Sequence, residues 1–232
     1  MRPTLHPRVK ICCIQSVEEA QLAIECGASA LGLVSHMPSG PGVIAEQIIA
    51  EIAKSIPPPI FSFLLTCKQN VNDIIEQHKR CRTSCIQLCD RLIEGTHTEL
   101  KSALPGVSIV QVIHVCGPES VNEAVTAAPF VDAILLDSGN PARAIKELGG
   151  TGRVHNWTLS REIRDLIDVP VFLAGGLSSE NVQAAIREVA PFALDVCSGV
   201  RVNGKLNQGK LTDFFAAINA CSSLLEAVDN HP

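Results

Sequence analysis

The chain has 232 residues, 46% hydrophobic and 19% charged, with a mean hydropathy of +0.23, which suits one globular domain near the ~250 residues of a (β/α)8 barrel. A net charge of -5 and a pI of about 5.8 leave no electrostatic footprint for nucleic acid or an anionic membrane. Aromatic residues are only 3%, which argues against base stacking or aromatic anchors.

In chain order, residues 1–7 form a polar, proline-bearing lead without the apolar core of a signal peptide, and no later run approaches the ~18 residues of a membrane span. The expectation is a cytoplasmic protein with a lead at 1–8, a barrel domain at 9–225 and a tail at 226–232. Its ten cysteines are then free thiols. Residues 9–12 predict a strand. Ser16, with Glu19 three residues on, gives the capping-box signature of a helix that runs to Gly27. Residues 30–35 predict the second strand, followed by a loop broken by Pro38, Gly40, Pro41 and Gly42 and a helix over 43–55, ended by the prolines at 57–59. A strand at 60–65, a helix at 71–79, a strand at 85–89 and a helix at 94–103 follow. The fifth strand is expected at 107–115, with a helix at 118–128 that carries proline in its first turn. Residues 133–137 predict the sixth strand, then come a long glycine-rich loop and a helix at 158–167. The seventh strand is expected at 170–174, with Ser178 capping a helix at 179–189. The eighth lies at 193–196, and a last helix spans about 210–225. Strand and helix alternate throughout, with no repeat or linker, so an α/β fold with a single closed (β/α)8 TIM barrel of parallel strands is the economical solution.

The organising stretch is Ile134-Leu135-Leu136-Asp137-Ser138, an apolar run that halts on a carboxylate. Period-two alternation puts Leu135 and Asp137 on one face, so if Leu135 faces the barrel interior, Asp137 stands at its mouth. Sites on this fold lie at the C-terminal strand ends. Those ends gather Cys12, Ser35, His36, Thr66, Cys67, Cys89, His114, Cys116, Asp137, Gly175, Gly176, Cys197, Ser198 and Gly199. Gly175-Gly176 and Ser198-Gly199 follow the last two strands, where backbone amides commonly bind phosphate. Cys12 shares its strand face with Lys10, and a neighbouring ammonium favours the thiolate, the form that acts as a base. The histidines and other cysteines lack the paired C-x2-C spacing of a zinc site, so no metal is expected.

These motifs resemble a known family. Lys10-Ile11-Cys12, Leu136-Asp137-Ser138, Gly149-Gly150-Thr151-Gly152 with Trp157, Phe172-Leu173-Ala174-Gly175-Gly176-Leu177 with Asn181-Val182, and Asp195-Val196-Cys197-Ser198-Gly199-Val200 look like phosphoribosylanthranilate isomerase of tryptophan biosynthesis, in the family's order. The resemblance implies an Amadori rearrangement with Cys12 as general base and Asp137 as general acid. It implies phosphate at Gly175, Gly176, Ser198 and Gly199, with Lys10, Gln87, Gly150 and Asp195 as substrate contacts. It implies no metal or organic cofactor and a small phosphorylated ribosyl substrate as partner, with no nucleic acid or membrane, in a monomer or homodimer. The departures are specific. Cys13 replaces the glycine of Lys-Ile-Cys-Gly, and Ser39-Gly40-Pro41 lacks the arginine of Ser-Pro-Arg that holds the anthranilate carboxylate. Gln87-Leu88-Cys89-Asp90 stands for Gln-Leu-His-Gly, and Arg201 stands for a glutamate. The alternative reading is a non-catalytic phosphosugar- or nucleotide-binding barrel that has lost anthranilate recognition.

Overall fold

Strands that are apolar on both faces need cover on both, and the computed structural model, which describes residues 7–229, shows where each face goes. Eight parallel strands close into a barrel in sequential order: β1 (Arg8–Ile11), β2 (Ala30–Val34), β3 (Phe61–Thr66), β4 (Cys85–Leu88), β5 (Ser108–His114), β6 (Ala133–Asp137), β7 (Val171–Leu173) and β8 (Ala193–Val196). β1 pairs with β8 to complete the ring. Helices α1 (Val17–Glu25), α2 (Glu46–Ser55), α3 (Val71–Cys81), α4 (His97–Ala103), α5 (Glu119–Ala127), α6 (Trp157–Leu166), α7 (Val182–Val189) and α8 (Gln208–Asp229) alternate with them. Residues 1–6 of the expected lead and 230–232 of the expected tail lie outside the described residues.

Alternation divides the core in two. Ile11, Leu33, Leu64, Ile86, Ile134, Leu136 and Leu194 pack outward against the helices, whereas Ala30, Phe63, Cys85, Val110, Leu135 and Phe172 fill the barrel. Leu135 therefore faces inward, and Asp137 with it. No helix among the described residues is long and apolar enough to cross a membrane.

Several helices start later than their sequence patterns suggest, because strand bridges and capping side chains take the first turn. Ile44 N–H donates to the Val34 carbonyl and Val43 bridges Val34, so the chain stays extended beside β2 and α2 begins at Glu46 rather than 43. Thr96 and Glu99 form a capping box, so α4 starts at His97, while Glu94 bridges Asn70. Ser178 N–H donates to Asn181 Oδ1 at 2.9 Å, and the resulting turn delays α7 to Val182. Ser16 caps α1 as the sequence indicates, with Glu19 N–H donating to Ser16 Oγ at 3.2 Å, but the expected box does not close, because Glu19 Oε2 accepts from Gln15 N–H at 3.1 Å and both its oxygens also accept from Arg201.

Candidate active site

At the C-terminal end of the strands a pocket opens whose lining includes Cys12, Gln87, Cys89, Asp137, Asp195, Cys197 and Ser198, with loops at 39–41, 148–152 and 174–177 as its rim. Asp137 ends β6 and is only 8% exposed. Ser138 N–H donates to its Oδ1 at 2.7 Å. The glycine-rich loop closes over the other oxygen. A Cβ on Gly149 would lie 2.7 Å from Asp137 Oδ2, and its φ of 133° is one that side-chain-bearing residues rarely adopt. A Ser138 Oγ to Thr151 Oγ1 hydrogen bond of 2.6 Å pins this loop to the strand end.

Cys12 follows β1, its N–H donating to the Val196 carbonyl at 2.8 Å. Its inward position depends on Gly32 in the middle of β2. A Cβ there would stand 2.9 Å from Cys12 Sγ and 3.1 Å from Lys10 Nζ. In the sequence, Gly32 shows only as an isolated glycine inside a strand, a signal that something approaches closely.

The structure places Lys10 beneath the pocket rather than on its wall. Its side chain is fully buried and its Nζ donates to Asp195 Oδ2 at 2.8 Å. Desolvation opposes the ammonium, but Asp195 and then Cys12 outweigh it and hold Lys10 above the ordinary lysine value. Asp195 keeps one oxygen on Lys10, while its buried Oδ1 has no hydrogen-bond partner among the described residues, nor does Gln87 Oε1. Two pocket-lining acceptors are thus left open, and buried acceptors are seldom left so without a reason. Gly150 also lines the pocket; a Cβ on it would meet Pro41 Cδ at 2.5 Å.

Gly175 and Gly176, with φ of 82° and 63°, turn into the pocket beside Ser198. Gly199 lies outside the lining, because it packs against the β7 turn, where a Cβ would run into the Leu177 carbonyl oxygen. Among the described residues, the lining contains no lysine or arginine. Arg201 is not free to supply one. Its two terminal nitrogens are spent on Glu19, at 3.0 and 3.1 Å, and on the carbonyls of Cys12, Cys13 and Gly204, and its Nε is buried without a partner among the described residues.

The remaining strand-end residues do not converge. Ser35 Oγ donates to the Leu65 carbonyl and Thr66 Oγ1 to Gln77 Oε1, each at 2.7 Å. Cys67 Sγ donates to the His36 carbonyl, Cys116 Sγ to the Gly139 carbonyl, and His114 Nε2 lies 3.0 Å from the Cys89 carbonyl. No group of three or more His, Cys, Asp and Glu among the described residues is arranged to hold a metal ion. His155, absent from the sequence-based site, sits behind the Gly175-Gly176 turn, where a Cβ on Gly175 would lie 3.0 Å from its Nδ1. Its Nε2 pairs with Ser160 Oγ at 2.7 Å, and its Nδ1 has no partner among the described residues. Burial drives its pKa down from 6.5 to about 4, against the opposing pull of Asp137.

A closed (β/α)8 barrel that brings a carboxylate, a thiol and two glycine-bearing turns to one pocket defines the class, an α/β-barrel protein equipped for acid/base work on a small ligand. The model of N-(5'-phosphoribosyl)anthranilate (PRA) isomerase matches residues 9–217. N-(5'-phosphoribosyl)anthranilate isomerase 1 of Methanosarcina mazei is 32% identical over 97% of this chain and 100% of its own. Phosphoribosylanthranilate isomerase from Thermotoga maritima superposes with a TM-score of 0.77 at 28% identity, over 92% of this chain and 99% of that one. A phosphoribosylanthranilate isomerase in complex with reduced 1-(o-carboxyphenylamino)-1-deoxyribulose 5-phosphate gives 0.74 at 26% identity, over the same shares. The chain belongs to the N-(5'-phosphoribosyl)anthranilate isomerase family.

The buried neutral imidazole has a measurable consequence. Between pH of about 6.5 and about 4 the unfolded chain binds a proton at His155 that the native protein does not, so stability falls as pH drops through that window. The loss reaches about 3 kcal/mol at its acid end. His155→Gln should flatten this part of the pH dependence in urea unfolding followed between pH 7 and pH of about 4. An unchanged profile in the variant would contradict the assignment.

Proposed function

We propose that the protein catalyses the Amadori rearrangement of N-(5'-phosphoribosyl)anthranilate, or of a closely related phosphorylated ribosyl amine, in tryptophan biosynthesis. What carries this reading is that Cys12, from the end of β1, and Asp137, from the end of β6, line one pocket. Asp137 acts as general acid. It protonates the furanose ring oxygen as the C1'–O bond breaks and the anthranilate nitrogen donates its electron pair to form a Schiff base. Cys12 acts as general base and removes the C2' proton. The electrons of that C–H bond move toward the nitrogen to give the enolamine, which tautomerises to the ketose. The substrate's own nitrogen is the electron sink, so the chemistry needs no metal or organic cofactor.

The 5'-phosphate is held at the Gly175-Gly176 and Ser198-Gly199 turns. With no lysine or arginine in the lining among the described residues, its charge is met by backbone N–H groups. Gly199 serves this indirectly, by letting the Ser198 turn sit against β7. Gln87 and Asp195 offer their open acceptor oxygens to ribose hydroxyls, Gly150 lets the rim close over the ligand, and Lys10 contributes by fixing Asp195 from below. The protein works in the cytoplasm as a monomer or homodimer on this small substrate.

Cys12→Ala and Asp137→Asn should each lower turnover by about 100- to 10,000-fold while leaving the fold intact, as loss of a positioned proton donor or acceptor does. The decay of anthranilate fluorescence from phosphoribosylanthranilate measures it; turnover unchanged in either variant would overturn the assigned roles. Pro41 is exposed on the rim, where the resemblance places an arginine. Pro41→Arg should therefore lower KM for phosphoribosylanthranilate about tenfold or more, with a smaller effect on kcat, because a guanidinium fork binds carboxylate strongly. If the wild-type protein is inactive and Pro41→Arg restores nothing, the non-catalytic binding reading replaces this one.

A further inference from the structure

We propose that Cys13 and Cys197 form a dithiol modification site in the pocket, which hydroperoxides close to a disulfide while leaving Cys12 free. The two residues follow adjacent strands, β1 and β8, and their Sγ atoms lie 2.9 Å apart. A disulfide needs about 2.05 Å, so closure requires a movement of about 1 Å. Both residues line the pocket, and Cys197 is half-buried there, within reach of a small oxidant.

The surroundings hold this pair together. Cys13 has a φ of 63°, in the left-handed region where a non-glycine residue is uncommon. The position is glycine in the motif that the chain resembles. Gly42 makes room for the side chain, since a Cβ there would lie 2.5 Å from Cys13 Cβ. Arg201, where the resemblance expects glutamate, donates to the Cys13 carbonyl at 2.5 Å and fixes the bent backbone. Two departures from the family's pattern therefore converge on one thiol pair.

The same contacts assign the two sulfurs different roles. Its hydrogen bond with Cys13 holds the Cys197 thiol below the ordinary value against the effect of burial, with help from Arg201. Cys13 is pushed up by its hydrogen-bonded neighbours Cys12 and Cys197 and by burial. Cys197 thus loses its proton first, and its thiolate attacks one peroxide oxygen. The O–O bond breaks, and the departing hydroxide or alkoxide takes up a proton, leaving a sulfenic acid. Cys13 sulfur then attacks Cys197 sulfur, the S–O bond breaks, and the released hydroxide leaves as water with the Cys13 proton. With hydrogen peroxide the balance is two thiols and one peroxide to one disulfide and two waters, the sulfurs oxidised and the peroxide oxygens reduced. Cys89, fully buried and with its pKa raised chiefly by burial, takes no part.

The functional consequence rests on the isomerase reading above; the cross-link itself does not. A bridge at this point ties the turn that carries Ser198 to the residue after Cys12, and a shift of about 1 Å at reacting groups costs on the order of 100-fold in rate. The test is hydrogen peroxide treatment of the whole protein, alkylation of remaining thiols, and peptide mapping by mass spectrometry without reduction. A Cys13–Cys197 cross-link that disappears with dithiothreitol is expected in the wild type and is expected to be absent from Cys197→Ser and from Cys13→Gly, which also relieves the backbone. In parallel, kcat/KM of the wild type should fall by about 100-fold and recover with dithiothreitol, whereas Cys13→Gly should show no dithiothreitol-reversible loss. Alkylated Cys13 and Cys197 after treatment, a Cys12–Cys13 link, or oxidation confined to Cys12 would each overturn the proposal. If the cross-link forms in a protein with no isomerase activity, the dithiol stands and the isomerase reading falls.

Discussion

The barrel closes on a pair of charges with almost no access to water. Lys10 on β1 and Asp195 on β8 are register partners across the seam that completes the ring, and their side chains meet at 2.8 Å. Withdrawing two such charges from water costs several kcal/mol per ion, and only close geometry with few unsatisfied groups offsets it. The sequence around them supplies that geometry. Gly32 vacates the space that the ammonium and Cys12 both need, and Phe63 presents its ring 5.3 Å from Lys10 Nζ. Directly above this pair stand the groups assigned to chemistry, so the seam that closes the fold also sets the floor of the pocket.

Much of this was legible in the chain because it is local. The halt of an apolar strand on Asp137, the inward face shared by Leu135 and Asp137, the eightfold alternation and the glycine turns at 175–176 all follow from near neighbours and from period-two geometry. Features set by closure were not legible. The Lys10–Asp195 contact spans 185 positions, and Arg201 is consumed by Glu19 and by the carbonyls of Cys12 and Cys13 only once β1 and β8 lie side by side. His155 was missed for a related reason, since it reads as a loop residue until the chain folds back behind Gly175. Helix starts slipped by three residues where caps and strand-edge bridges compete for the same backbone groups.

The absence of lysine and arginine from the described lining shapes how an anionic substrate would be held. Backbone dipoles and open carboxamide and carboxylate oxygens recognise shape and hydroxyl pattern well but contribute less attraction than a guanidinium fork. The loop at 39–42, built around glycines with φ of 102° and 83° and packed against Cys13 and Gly150, is a compact turn at the place where the resemblance expects an arginine. The departures at 13, 41 and 201 therefore belong to one neighbourhood rather than being scattered through the fold.

The Lys10–Asp195 pair positions the site as well as stabilising the barrel, and a two-step substitution separates the two roles. Unfolding free energy and kcat/KM would be measured for Lys10→Met and for Lys10→Met with Asp195→Leu. Removing one partner leaves an uncompensated buried charge and should cost about 3–5 kcal/mol, while the apolar pair should regain most of that stability. Activity should stay down by about 100-fold in the double variant, since its pocket floor has lost the fixed carboxylate. A double variant that recovers both stability and kcat/KM would show that the pair only stabilises the barrel.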